Sequence, residues 1–127
     1  MILQLAVTRD EEGTGGFINV PAEELIFLEY DMSTKWVLAH TMDHCYYVTG
    51  TLTYLATALK ASGYEFEKVD RNIVVHLPKI KRLDKLNTLA YFDYDIQKTS
   101  KRVTLSRKYF DKLLAGEYVR DPNIAIT

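Results

Sequence analysis

The chain of 127 residues has a single cysteine, Cys45, and no apolar run approaching the roughly 18 residues that a membrane-spanning helix needs. One cysteine excludes an intrachain disulfide, and no Cys/His cluster reaches the four ligands of a structural zinc site. The N-terminal Met1-Ile-Leu-Gln-Leu5 has neither the basic stretch nor the small-residue cleavage site of a secretion signal. A soluble, cytoplasmic protein in a reducing compartment is the expectation. Also absent are a nucleophile elbow, a P-loop, a glycine-rich dinucleotide loop and a metalloprotease helix motif. At this length one core and one domain are expected.

Net charge is lacking too. Sixteen basic and seventeen acidic residues leave a formal charge of −1, which argues against a generically basic nucleic-acid binder. The sum hides an asymmetry. Residues 1–31 hold seven acids (Asp10, Glu11, Glu12, Glu23, Glu24, Glu29 and Asp31) against Arg9, so the remaining residues carry fifteen bases and ten acids. The excess of positive charge sits in Lys79 to Lys85 and Lys98 to Lys112. Charge runs are usually solvated faces, but here the cations interleave with strands and a helix start, which favours a binding surface.

What is present is mostly β patterning. Ile2 to Thr8 alternates apolar and polar residues and predicts a strand, followed by a flexible turn or mobile arm at Asp10-Glu-Glu-Gly-Thr-Gly-Gly16. Phe17 to Val20 before Pro21, Ile26 to Tyr30, Trp36 to Thr41 and His44 to Val48 read as strands, with Met42-Asp43 turning the last two into a hairpin. Thr51 to Ser62 predicts a helix, since Leu52, Leu55, Ala56 and Leu59 fall at i, i+3, i+4 and i+7 and Gly63 supplies the stop. A helix-turn-helix would need a second helix next. Instead, Phe66 to Leu77 carries Val69, Ile73, Val74 and Val75, which predicts strand and short turn. Lys79 to Leu86 and Leu89 to Tyr94 predict another hairpin, and Arg102 to Leu105 a further strand. Ser106 is a candidate N-cap for a second helix, Arg107 to Ala115, with Leu105 and Phe110 as a hydrophobic staple.

Few residues suggest catalysis. His40, His44 and Cys45 flank the Met42-Asp43 turn, but without a carboxylate in register they make a poor metal site. Asp93 and Asp95 alternate along a strand and read as a solvated edge rather than an acid–base pair. The cations are more suggestive. Arg107 and Lys108 occupy the first turn of the second helix, where positive charge is disfavoured by a few tenths of a kcal/mol unless an anion arrives. Arg71 stands between a strand and Asn72, placed to fork onto guanine O6 and N7 or to clamp phosphate. The bland alternative is a salt bridge to Asp70 or Glu67. Lys35, after Ser33-Thr34, is another loop-borne cation.

These segments occur in the order Ile26-Phe-Leu-Glu-Tyr30, Gly50-Thr-Leu-Thr-Tyr-Leu55, Phe66-Glu-Lys-Val-Asp-Arg71-Asn-Ile-Val-Val-His76 and Arg102-Val-Thr-Leu-Ser-Arg107-Lys-Tyr-Phe-Asp-Lys-Leu-Leu114. Over about residues 17–115 the pattern resembles the LytTR family of bacterial DNA-binding domains. The resemblance implies a mostly β fold, antiparallel β-sheets in a β-sandwich with two short helices. It divides the chain into 1–16 (strand and acidic loop), 17–115 (DNA-binding domain) and 116–127 (C-terminal tail). Family contacts to DNA come from the loop after the "Y-I-E" strand, matched around Lys35, from the "H-R-S" segment, matched by Asp70, Arg71 and Asn72, and from the "S-R" pair, matched by Ser106 and Arg107. Asp70, Asn72 and His76 depart from the family's histidine, serine and asparagine, and an acid beside Arg71 would repel phosphate or tie the arginine down.

The implied function is sequence-specific binding of double-stranded DNA in the major groove as a transcription regulator, with no catalysis, metal or cofactor. Lys35, Arg71, Asn72, Lys101, Arg107 and Lys108 are the candidate contacts. Direct repeats about one helical turn apart, read by two protomers, are the expected target, with a homodimer on DNA and no membrane association. A degenerate domain serving as a protein–protein module is the alternative, and nuclease activity a remote third. Receiver-like acidic pockets are absent, and an initiating Met with extensions at both ends fits a free-standing regulator better than an excised domain.

Overall fold

The structure, a computed structural model, describes residues 3–118 and 121–127. Its strands are β1 (Gln4–Thr8), β2 (Phe17–Pro21), β3 (Phe27–Asp31), β4 (Trp36–His40), β5 (Cys45–Val48), β6 (Phe66–Asp70), β7 (Ile73–His76), β8 (Arg82–Asp84), β9 (Leu89–Tyr91), β10 (Arg102–Thr104) and β11 (Ala125–Ile126). The helices are α1 (Leu52–Ala61) and α2 (Arg107–Leu114), with 3₁₀ turns at Ala22–Glu24 and Leu77–Lys79. A seven-stranded sheet runs β2-β1-β5-β4-β3-β7-β6, and a four-stranded sheet runs β10-β9-β8-β11. Pairing is antiparallel throughout except β11 on β8. The mostly β fold with two short helices is therefore as expected.

Alternation along the strands sorts side chains onto two cores. Leu28, Val37, Ala39, Val48 and Val74 point to one face of the larger sheet, where Leu55 and Leu59 of α1 meet them. Phe27, Val69 and Val75 point to the other face, against Leu83, Ala90 and Val103 of the smaller sheet and Phe110 and Leu113 of α2. Burying a side chain of this size contributes roughly 1.5–3 kcal/mol relative to exposure, so each core holds its sheet in place. α1 starts as its sequence predicts, since the Thr51 side chain accepts a hydrogen bond from Tyr54 N at 3.1 Å.

Some expected elements are shorter or differently built. The strand expected over 79–86 is a 3₁₀ turn followed by the three residues of β8, and β9 stops at Tyr91. Asp93 and Asp95 thus lie in the loop after β9 and share no strand face. The strand expected from Ile2 begins at Gln4, with Ile2 outside the described residues. Met42-Asp43 does turn β4 into β5, closed by Thr41 N donating to His44 O at 3.0 Å. The acidic loop is ordered around Asp10, whose carboxylate accepts from Thr14 N and Gly15 N at 2.8 and 3.2 Å. These bonds, led by those from Thr14, hold the Asp10 carboxyl below its ordinary pKa.

Candidate nucleic-acid interface

Strand direction places several connections at one end of the molecule. β3 ends and β4 begins at the turn Asp31 to Lys35, and β6 ends and β7 begins at Arg71-Asn72. Tyr30 N donates to Asn72 O at 2.9 Å, which lays these two turns side by side. The register of β6 against β7 shifts between Lys68 and Asp70, and Val69 O accepts from Ser106 N at 3.0 Å. That bond draws the start of α2 against the β6–β7 turn. On its other flank Leu105 N donates to Thr88 O at 2.9 Å, so the β8–β9 turn, Lys85 to Thr88, joins the same row. Neighbouring hydrogen-bonded segments lie about 4.8 Å apart. The row from Thr88 through Leu105-Ser106, Val69 and Asn72 to Tyr30 comprises four such steps, a span of roughly 19 Å if laid straight.

Each connection in this row is stiffened locally. At the β3–β4 tip the Asp31 carboxylate accepts from Ser33 N at 3.1 Å, Ser33 Oγ at 2.9 Å and Thr34 Oγ1 at 2.9 Å, while Lys35 N donates to Asp31 O at 2.7 Å. Lys35 adopts φ 63°, a left-handed conformation that costs a non-glycine residue about 1 kcal/mol or more and persists only where its surroundings impose it. The same hydrogen bonds, Ser33's side chain first, lower the Asp31 pKa. At the β6–β7 tip the Asp70 carboxylate accepts from Arg71 N at 2.8 Å. The acid that replaces the family's histidine therefore braces the turn through the backbone. Among the described residues the Arg71 guanidinium has no ion-pair partner, and Glu67 pairs with Lys60 instead.

α2 begins with Ser106 at its N-cap, but the hydroxyl makes no capping bond and its buried Oγ has no hydrogen-bond partner among the described residues. The expected staple is present, since Leu105 and Phe110 are both buried. Arg107 and Lys108 project into solvent from the first turn. Arg107 lies over the Phe110 ring at 5.8 Å and reaches Asp111 at 3.6 Å, an exposed i,i+4 pair worth a few tenths of a kcal/mol. So weak a tether leaves the guanidinium available.

Five of the six cations and amides singled out from sequence, Lys35, Arg71, Asn72, Arg107 and Lys108, thus fall in one row of turns. Lys101 does not join them. Its ammonium donates to the His44 carbonyl and to His40 Nδ1 at 3.1 Å, at the far end of β4 from Lys35. Burial there lowers its pKa. His40 in turn meets Glu29 through Nε2 at 2.7 Å, with Cys45 Sγ 3.7 Å away. This cluster ties the segment before β10 to β4. Among the described residues no group of three His, Cys, Asp or Glu side chains is arranged to hold a metal. Sequence reading did not single out Lys85 or the β8–β9 tip. The signal was an Asp84-to-Thr88 turn inside a basic run, but only the Leu105–Thr88 hydrogen bond reveals that it abuts α2.

The turns form one row on a β scaffold, with arginine and lysine beside a helix N-terminus, an arrangement whose charge and free N–H groups suit an anionic partner. A family model for the LytTr DNA-binding domain matches residues 15–115, and the chain belongs to that family. Among solved structures it is similar to a LytTr DNA-binding domain from Bacillus cereus, at 19% identity and a TM-score of 0.66, covering 89% of this chain and 96% of that one. That likeness shows the fold. No curated protein matches the chain. Among the described residues no helix is long and apolar enough to cross a membrane.

Proposed function

We propose that this protein is a transcription regulator that reads double-stranded DNA in sequence through the row of turns at one end of its larger sheet. The observation that carries the reading is the backbone hydrogen bonding, Tyr30 to Asn72 and Ser106 to Val69, that brings Lys35, Arg71-Asn72 and Arg107-Lys108 together from distant parts of the sequence. Arg107 and Arg71, both exposed, are the base-reading residues, because a guanidinium can engage guanine O6 and N7 at once. Asn72 adds an amide donor and acceptor beside them. Lys35 and Lys108 meet phosphates, and the N–H groups of the first turn of α2, uncapped by Ser106, face an approaching anion. Lys101 acts from within the fold, as a brace on His40 and the His44 carbonyl.

The domain acts without catalysis, metal or cofactor, and two protomers occupy direct repeats on one DNA face about 10 bp apart. Selection of bound fragments from random DNA, followed by retardation assays on the enriched sequence and on scrambled DNA across a salt series, tests the reading. Two phosphate neutralisations per protomer, by Lys35 and Lys108, predict that log K falls with log salt at a slope of about −1.8 for each. Equal, salt-independent behaviour toward all DNA, or none bound at low salt, would replace this reading with a protein–protein module.

A further inference from the structure

The β8–β9 tip repeats the construction of the β3–β4 tip. In both, an aspartate carboxylate accepts from the amide two residues on, Ser33 N at 3.1 Å and Leu86 N at 3.0 Å. In both, a non-glycine residue four positions after the aspartate is left-handed, Lys35 at φ 63° and Thr88 at φ 51°. Each tip carries one lysine, Lys35 or Lys85, and one apolar side chain held out in solvent, Met32 at 61% and Leu86 at 87% exposure. Asp84 also accepts from Asn87 N at 3.2 Å and Asn87 Nδ2 at 3.0 Å, and Lys85 N donates to Thr127 O at 3.1 Å. A lone exposed leucine is ordinary on a protein surface. This one differs in standing on a backbone clamped from both sides, so it gains little from the freedom that normally accompanies exposure.

The two tips stand at opposite ends of the row of turns. Laid straight, its four hydrogen-bonded steps would span roughly 19 Å, whereas the major groove of B-DNA is about 12 Å wide. If the central segments, Ser106-Arg107 and Arg71-Asn72, enter the groove, the outer tips overhang its walls, which are phosphate backbones. We propose that the β8–β9 tip is a further DNA-contacting element of this domain, with Lys85 on a phosphate at one wall of the groove and Leu86 against the adjoining sugar, opposite the phosphate met by Lys35. The proposal rests on the DNA-binding reading above and extends the footprint on one side of Arg107.

The test uses the full chain and a single-repeat fragment obtained by selection, with anisotropy measured from low to high salt and a hydroxyl-radical footprint. Lys85→Ala should flatten the slope of log K against log salt by about 0.9 and lower affinity on the order of fivefold to tenfold at 0.1 M salt. It should also erase protection at one edge of the footprint. Lys79→Ala removes the same charge from beyond the far end of β7 and should leave the slope unchanged. Leu86→Ser should weaken single-repeat binding about twofold or more without altering the slope. An unchanged slope and footprint in Lys85→Ala, while Arg107→Ala still weakens binding, overturns this proposal and leaves the DNA-binding reading standing. If Leu86→Ser instead spares single-repeat affinity and reduces only cooperativity on two repeats, the tip meets a neighbouring protomer and the proposal falls. Absence of binding by the unaltered protein removes both.

Discussion

The two helix N-caps of this domain should respond in opposite directions to the same substitution. Thr51 accepts a hydrogen bond from Tyr54 N at 3.1 Å, so Thr51→Ala deletes a working cap and should cost about 1 kcal/mol. Ser106 occupies the corresponding position of α2, yet among the described residues its hydroxyl bonds nothing and its oxygen is buried. A buried, unpartnered hydroxyl carries a desolvation cost of about 1–3 kcal/mol, and Ser106→Ala removes that cost without breaking any cap bond. The backbone at φ −62° and ψ 149° suits alanine equally well. A gain of about 1 kcal/mol is the expectation. With a urea m-value near 2 kcal/mol/M, the unfolding midpoint should fall by about 0.5 M in Thr51→Ala and rise by about 0.5 M in Ser106→Ala, at constant m. Equilibrium urea unfolding followed by tryptophan fluorescence reads both shifts. If Ser106→Ala loses as much as Thr51→Ala, the hydroxyl is capping α2 after all and the account of that terminus is wrong.

Arg107→Ala should weaken binding to the selected sequence by about 1–3 kcal/mol and relax specificity, whereas Lys101→Ala should leave the salt slope unchanged because its ammonium is already engaged by His44 and His40; anisotropy titrations separate the two. His76 is buried, stacked on Phe66 with ring centroids 4.4 Å apart and donating from Nδ1 to Leu25 O at 2.7 Å, and burial pushes its pKa below the ordinary 6.5. The unfolded chain therefore binds the proton more readily, so stability is full above about pH 6.5 and declines as pH falls through and below that value, by at most about 1.4 kcal/mol per unit. Urea midpoints in His76→Gln should lose that slope between pH 6.5 and 5, even if they are lower throughout; an undiminished slope would point to another group. Asp31→Ala should loosen the β3–β4 tip and lower DNA affinity while costing little thermal stability, since two of the three side-chain bonds it accepts are exposed and the third, from Thr34, is only part-buried; an equal loss of both would show the tip to be structural.

Local patterning carried much of the fold into view. The spacing of Leu52, Leu55, Ala56 and Leu59 defined α1, and the β-branched set at Ile73 to Val75 marked β7, because both signals depend on neighbours in sequence. Other features depend on partners far along the chain. β11 has two residues and exists through pairing with β8, some forty positions earlier. The sequence places Lys101 in a basic run, yet its engagement with His40 follows from how β10 packs against the larger sheet. The same holds for Asp70, whose place beside Arg71 in the sequence suggests a trap for the guanidinium but whose carboxylate accepts the Arg71 amide. Residue types at the candidate interface were therefore legible, while their assembly into one row, and the membership of the Lys85 turn, required three backbone hydrogen bonds between remote segments.

The short β11 has a consequence for how the protein behaves in concentrated solution. Ala125 and Ile126 cover the outer side of β8, with Thr127 N donating to Leu83 O at 2.9 Å and Ala125 N to Lys81 O at 2.9 Å. Without them β8 would present a bare row of backbone donors and acceptors, a ready template for a strand from another molecule. Two residues with little core of their own thus guard the smaller sheet against self-association, and removing residues 121–127 should promote aggregation before it unfolds the domain.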